Sequence, residues 1–158
     1  MKNLRTIALC VSITLYSLCS SAQTSGSIPI NEPNMNKPEL FHGLPDNIPV
    51  NMQNITGLFG TSVDNQVSIS LSSNAPFQFE GKVVSSVSKY NNSIVSVVIR
   101  STNYPGAVLA LSKLTDANGN ISYTGRIVSK QHADLYEMQD INGQFYLVKK
   151  NYYKLINE

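Results

Sequence analysis

From Gln66 onward, apolar and polar residues alternate along the chain. Val67, Ile69 and Leu71 are interleaved with Gln66, Ser68, Ser70 and Ser72, the period-two signature of a half-buried strand. Asn74-Ala75-Pro76 breaks that run, and Phe77, Phe79, Val83 and Val87 then hold one phase, with Gly81 in the same phase. Tyr90 to Ser93 reads as a turn, and Ile94 to Arg100 is β-branched and nearly continuous. Such a run suits a strand buried on both faces or held in a tight barrel. Ala107–Leu114, Ile121–Val128, Asp134–Met138 and Phe145–Lys150 complete the predicted strands. The breaks between them are Asn103 to Gly106, the loop Asp116 to Asn120, and Asn142-Gly143, each rich in turn-forming residues. Asn151 to Asn157 is expected to close the chain with one helical turn.

Before Gln66 the pattern differs. Five of the seven prolines fall within residues 23–50, at 29, 33, 38, 45 and 49. That spacing forbids a long helix or a central strand. Residues 23–45 therefore read as a flexible leader, with Leu40, Phe41 and Leu44 able to pin its end to the domain. A short helix is expected between Asp46 and Gly60. Asp46 or Asn47 would cap it, Pro49 would sit in its first turn, and Ile48, Met52, Ile55 and Phe59 recur at helical spacing.

An internal match gives the strands an architecture. Phe79 to Ser85 lines up with Tyr123 to Ser129, so residues 66–100 and 107–150 read as two copies of one strand unit. Gly81 and Gly125 occupy equivalent inward positions. A mid-strand glycine forfeits packing, which argues for a sharp bend or a close backbone approach at each. The expected fold is mainly β: a small antiparallel barrel of six to eight strands over residues 46–158, with a two-sheet sandwich as the alternative.

The N-terminus changes the compartment. Lys2 and Arg5, the apolar stretch Ile7–Leu18 and Ser20-Ser21-Ala22 have the order of an export signal cleaved after Ala22. The expected location is the periplasm or the extracellular space. Lipidation at Cys19 is the alternative, opposed by the large Leu18 before it. The apolar run is shorter than the roughly 20 residues of a membrane span, and no second run of that length follows. Both cysteines, Cys10 and Cys19, lie within the signal, so cleavage leaves no thiol for a disulfide, a nucleophile or a metal site. The net charge of +2 also resides in Lys2 and Arg5. The remaining 136 residues are neutral, which speaks against nucleic acid as a partner.

Candidate chemistry is sparse. His132 and Asp134 are spaced as a base and its orienting carboxylate or as two metal ligands, which frames a small-hydrolase alternative. The chain has no Gly-x-Ser-x-Gly elbow, and a zinc site needs a third ligand. Asp134, Glu137 and Asp140 cluster in sequence without a substrate cleft. Asp116-x-Asn118-x-Asn120 imitates part of a calcium loop but lacks its later glutamate, so a hairpin turn is expected. With no phosphate loop, no cofactor is expected, and neither a catalytic set nor a metal set is assigned. Tyrosines concentrate late and interleave with lysines. Lys130, Tyr136, Tyr146, Lys149, Lys150 and Tyr152 are the candidate binding face for an unknown protein or glycan. A non-enzymatic exported binding domain is the reading that follows. A protease-associated inhibitor or folding module that inserts its leader into a partner is the other alternative.

Overall fold

A computed structural model describes residues 36–74 and 77–153, all within the unit Pro33–Glu158. The expected signal, Cys10 and Cys19, residues 23–35 of the leader and the closing turn beyond Tyr153 lie outside the described residues. Eight strands alternate in direction: β1 (Asn47–Pro49), β2 (Gln66–Ser70), β3 (Gln78–Lys89), β4 (Ile94–Ser101), β5 (Ala107–Thr115), β6 (Ile121–Ser129), β7 (Asp134–Ile141) and β8 (Gln144–Asn151). They form one curled half-barrel sheet in the order β1-β8-β7-β6-β5-β4-β3-β2. A single sheet is the barrel-like architecture expected, and the sandwich does not occur.

The sequence pattern does not predict β1, because its three residues carry a proline. Pro49 is tolerated there, outside the helix it was expected to start. The helix α1 (Met52–Leu58) begins later and is capped by Asn51, whose side chain accepts the Asn54 N–H at 3.2 Å. Asp46 and Asn47 are not its caps. Asn54 Nδ2 in turn donates to the Ser70 carbonyl at 2.7 Å, tying α1 to β2. Ile55 and Leu58 bury into the core. Between β1 and α1, Val50 bridges to Ser72 just past β2. The Asn51 N–H donates to Leu71 and the Ser73 N–H to Pro49, each at 3.0 Å. The two outermost strands of the sheet thus meet at one rim.

The inward phases fill the interior. Phe77, Phe79, Val83, Val97, Ile99, Leu109, Leu111, Ile127 and Leu147 are all buried. The alternation in β3 breaks at a bulge between Val83 and Ser85. An extra residue there inverts the face of everything after it. Val87, expected inside, is 37% exposed as a result. In β4 the outward side chains Ser96 and Val98 are half-exposed, so this strand belongs to a tight curl and is not buried on both faces.

The two hairpins that carry the matched stretches can be compared directly. Val67 stands opposite Gly81 and Leu111 opposite Gly125, so β2–β3 and β5–β6 share their register. Both glycines sit where a neighbour comes too close for a side chain. A methyl group on Gly81 would strike the Arg100 carbonyl, and one on Gly125 would lie 2.7 Å from Leu111 Cδ2. The equivalence ends after this hairpin. β3 and β4 run together for most of their length, whereas β6 and β7 share only two residue pairs.

Candidate binding cleft

The short β6–β7 ladder opens the sheet. Arg126 pairs with Glu137 and Ile127 with Tyr136, and there the register stops. A continuous hairpin would go on to set Thr124 and Tyr123 against Gln139 and Asp140. Instead β6 stays with β5 up to Ile121, and β7 stays with β8 up to Ile141. The start of β6 and the end of β7 therefore part company.

A cleft of about 400 Å³ lies at the point of divergence. Ala110 and Ser112 of β5, Thr124 and Gly125 of β6, and Met138 of β7 line it. Arg126 and Glu137 also line it, joined at 2.6 Å between Nη2 and Oε1. This volume falls within the ordinary range of small-molecule pockets. A methyl group on Gly125 would lie 2.7 Å from Leu111 Cδ2 and 3.4 Å from Met138, so the strand passes close to its neighbours here. Beside the divergence, Tyr123 packs on Phe145 and Phe59, with ring centroids 6.0 and 6.1 Å apart. All three rings are only half-buried.

The candidate Tyr/Lys face does not assemble as one surface. Tyr136 is fully buried in a cluster with Phe41, Phe77 and Tyr104, and its hydroxyl donates to the Pro45 carbonyl at 2.5 Å. No solvent-borne partner reaches it. Burial, followed by the Asp134 and Asp46 charges, raises its phenol pKa well above the ordinary value. Lys149 stands opposite Tyr136 and donates to the carbonyls of Phe41 and Leu44 at 2.8 and 2.7 Å. Its ammonium serves the fold. Tyr146 and Lys150 share the outer side of β8 and are half-buried. Lys150 lines a second cleft of about 250 Å³ with Glu39, Asp46, Asp134 and Lys149, where both signs of charge mix. Tyr152 takes Lys37 over its ring at 5.4 Å, and Lys130 is exposed in the turn after β6.

The other constellations have structural partners. Asp134 is buried and accepts the backbone N–H groups of Leu40 and Phe41 at 2.6 and 2.7 Å. His132 Nδ1 meets Ser129 Oγ at 2.8 Å. The two side chains thus serve different partners. Glu137 is paired with Arg126, and Asp140 Oδ1 accepts the Gly143 N–H at 2.7 Å. Asp116 accepts from the backbone of Asn118 and Asn120 and from the Asn120 amide, the hairpin turn expected of that loop. Among the described residues, no group of three metal-ligating side chains comes together. None of their helices is long and apolar enough to cross a membrane, which says nothing of strands.

Ala110, Ser112, Thr124 and Met138 were not singled out by the sequence. Of the lining residues, the sequence pattern marks Gly125, inward and side-chain-free, and Glu137 within its carboxylate cluster. How far two neighbouring strands stay paired is a non-local property that periodicity does not encode. No family model matches the chain, and neither a curated protein nor a solved structure matches it.

Proposed function

We propose that this chain is an exported, non-enzymatic β-domain that binds a partner outside the cytoplasm through the cleft between β6 and β7. The observation that supports this reading is the two-pair β6–β7 ladder, beside which a lined cleft opens in the sheet. The hydrolase alternative draws no support from His132 and Asp134, whose hydrogen bonds go to Ser129 and to the Leu40–Phe41 backbone. The leader-insertion alternative needs a free leader, yet residues 38–45 are engaged by Ala133, β7 and β8 through Pro38, Leu40, Phe41, Leu44 and Pro45.

Two measurements test the reading. Terminal sequencing of the secreted or periplasmic chain is expected to begin at Gln23, and a chain that stays in the cytoplasm overturns export. Thr124→Trp fills the cleft from an exposed position and leaves the core alone. A partner captured by the wild type and by Tyr146→Ala is expected to be lost by Thr124→Trp. Equal capture by all three would move the site elsewhere.

A further inference from the structure

Hydrogen bonds flanking the opening show which main-chain groups face it. The Asp116 N–H donates to the Asn120 carbonyl at 2.9 Å, and the Thr115 N–H donates to the Ser93 carbonyl at 2.8 Å. In an antiparallel ladder, bonding direction alternates residue by residue. Even-numbered residues of β6 therefore bond to β5, and odd-numbered ones turn their N–H and C=O groups toward β7. The same alternation from the Asn142-Gly143 turn, where Ile141 stands opposite Gln144, aims Asp140 toward β6. Beyond the Arg126–Glu137 pair, no strand among the described residues pairs with the β7-facing side of Ile121 and Tyr123. These residues present a length of open sheet edge inside the fold, beside a lined cleft.

The lining sets the character of an occupant. Ala110, Ser112 and Thr124 are small and uncharged. The charges of Arg126 and Glu137 neutralise each other at 2.6 Å, so the cleft offers no net charge to an ion. Ile121, at the open end, is 51% exposed although its phase is inward. Main-chain groups in a row, small uncharged walls and a nearby apolar contact are what an extended peptide uses when it adds as a strand. A whole second copy of the domain fits less well, because β7 flanks the same opening.

We propose that the β6–β7 cleft takes an extended, uncharged, β-branched segment of a partner protein, which pairs by its main chain with Ile121 and Tyr123. This rests on the cleft being the binding site and adds the class of ligand and the mode of recognition. The probe is a phage-displayed library of random ten-residue peptides selected on the protein. Selected peptides are expected to be uncharged and rich in Val, Ile and Thr. Methylating alternate peptide nitrogens should weaken them at least tenfold, as should Thr124→Trp. Ile121→Pro removes an N–H aimed at the opening while sparing the bonds to β5, and should also weaken binding. Amide exchange at Tyr123 is expected to slow when peptide is bound. Selected peptides that tolerate backbone methylation, or that bind Thr124→Trp as well as wild type, overturn strand addition. A glycan array read in parallel separates the two levels. Glycan binding lost in Thr124→Trp, with no peptide selected, keeps the cleft and removes the strand. Binding to neither removes both. Peptide-free self-association lost in Ile121→Pro would assign the edge to a second copy instead and overturn the proposal.

Discussion

Asp134 Oδ2 accepts the backbone N–H of Phe41 at 2.7 Å, across 93 residues of sequence. Its other oxygen takes the Leu40 N–H, and Lys149 Nζ donates to the carbonyls at Phe41 and Leu44. One short turn, closed by the Leu44 N–H on the Phe41 carbonyl, is thus held by an acid on its donor side and a base on its acceptor side. Charge-assisted bonds to backbone groups are the stronger kind. The grip carries the Phe41 ring into the aromatic cluster of Phe77, Tyr104 and Tyr136.

Phe41 therefore belongs to the core. Phe41→Ala is expected to cost about 3–5 kcal/mol, the usual loss for truncating a buried Phe. Urea denaturation followed by circular dichroism measures it. A change below about 1 kcal/mol would mean that residues 38–45 are only loosely docked.

The two charged grips are separable. Asp134→Asn keeps the shape but turns an amide N–H toward a backbone donor, and is expected to cost about 2–3 kcal/mol. Lys149→Met leaves the Phe41 and Leu44 carbonyls without its ammonium, for about 1.5–3 kcal/mol. Because both act on one turn, the double variant should lose less than the sum of the singles. Strict additivity in a double-mutant cycle would show that they do not act through a common segment.

Tyr136 governs the alkaline side. Burial lifts its pKa in the folded state above the ordinary 10.0, and the unfolded chain keeps the ordinary value. Well below pH 10 both states hold the proton and its contribution to stability is intact. As pH rises past that point, the unfolded state releases its proton first, and stability falls. Tyr136→Phe should flatten this decline, at the expense of about 1 kcal/mol at neutral pH for the lost bond to Pro45. Thermal melts from pH 7 to 11 on both proteins decide it, and parallel slopes would assign the decline to other groups.

Asp116 works in the opposite direction. The Asn120 side-chain amide, then backbone N–H groups, hold its carboxyl below the usual range. Its contribution is present above the unfolded carboxylate pKa and is lost as pH falls through the lower folded value. A carbon-detected NMR titration should show Asp116 titrating below the ordinary carboxylate range, and the Asn120→Ala variant should return it upward. An unchanged midpoint in Asn120→Ala would remove that amide as the cause.

What could be read from sequence divides along physical lines. Local rules carried the strands: the predicted runs fall within a few residues of β2 to β8, and Asn142-Gly143 turns with both residues at positive φ. They failed where tertiary structure intervened. The bulge after Val83 turned Val87 outward, and β1 formed despite Pro49 because β8 and the segment at Ser72 offered it partners. The binding residues were less legible than the fold. Tyr136 and Lys149 look like surface chemistry in a strand pattern, but only the three-dimensional path of Phe41 shows what they hold. The cleft depends on where β6 leaves β7, a contact no local period reports.

The paired glycines offer the sharpest contrast between shared sequence pattern and shared structure. Both occupy the same register position, so a repeat read on pattern alone would assign them equal cost. Their surroundings differ. A methyl group on Gly81 would meet the Arg100 carbonyl and would lie 2.7 Å from Ile99 Cγ2, and a backbone atom in a paired strand has no room to retreat. At Gly125 the obstruction is Leu111 Cδ2, the tip of a side chain that can change rotamer. Gly81→Ala is therefore expected to cost about 3 kcal/mol or more, and Gly125→Ala about 1–2 kcal/mol. Leu111→Val, which withdraws the obstructing methyl, should recover part of the loss in Gly125→Ala. Val67, opposite Gly81, is not among the atoms in the way, so Val67→Ala should recover nothing in Gly81→Ala. Equal costs at the two glycines, or equal rescue, would show that the strand bends there for a reason other than these contacts.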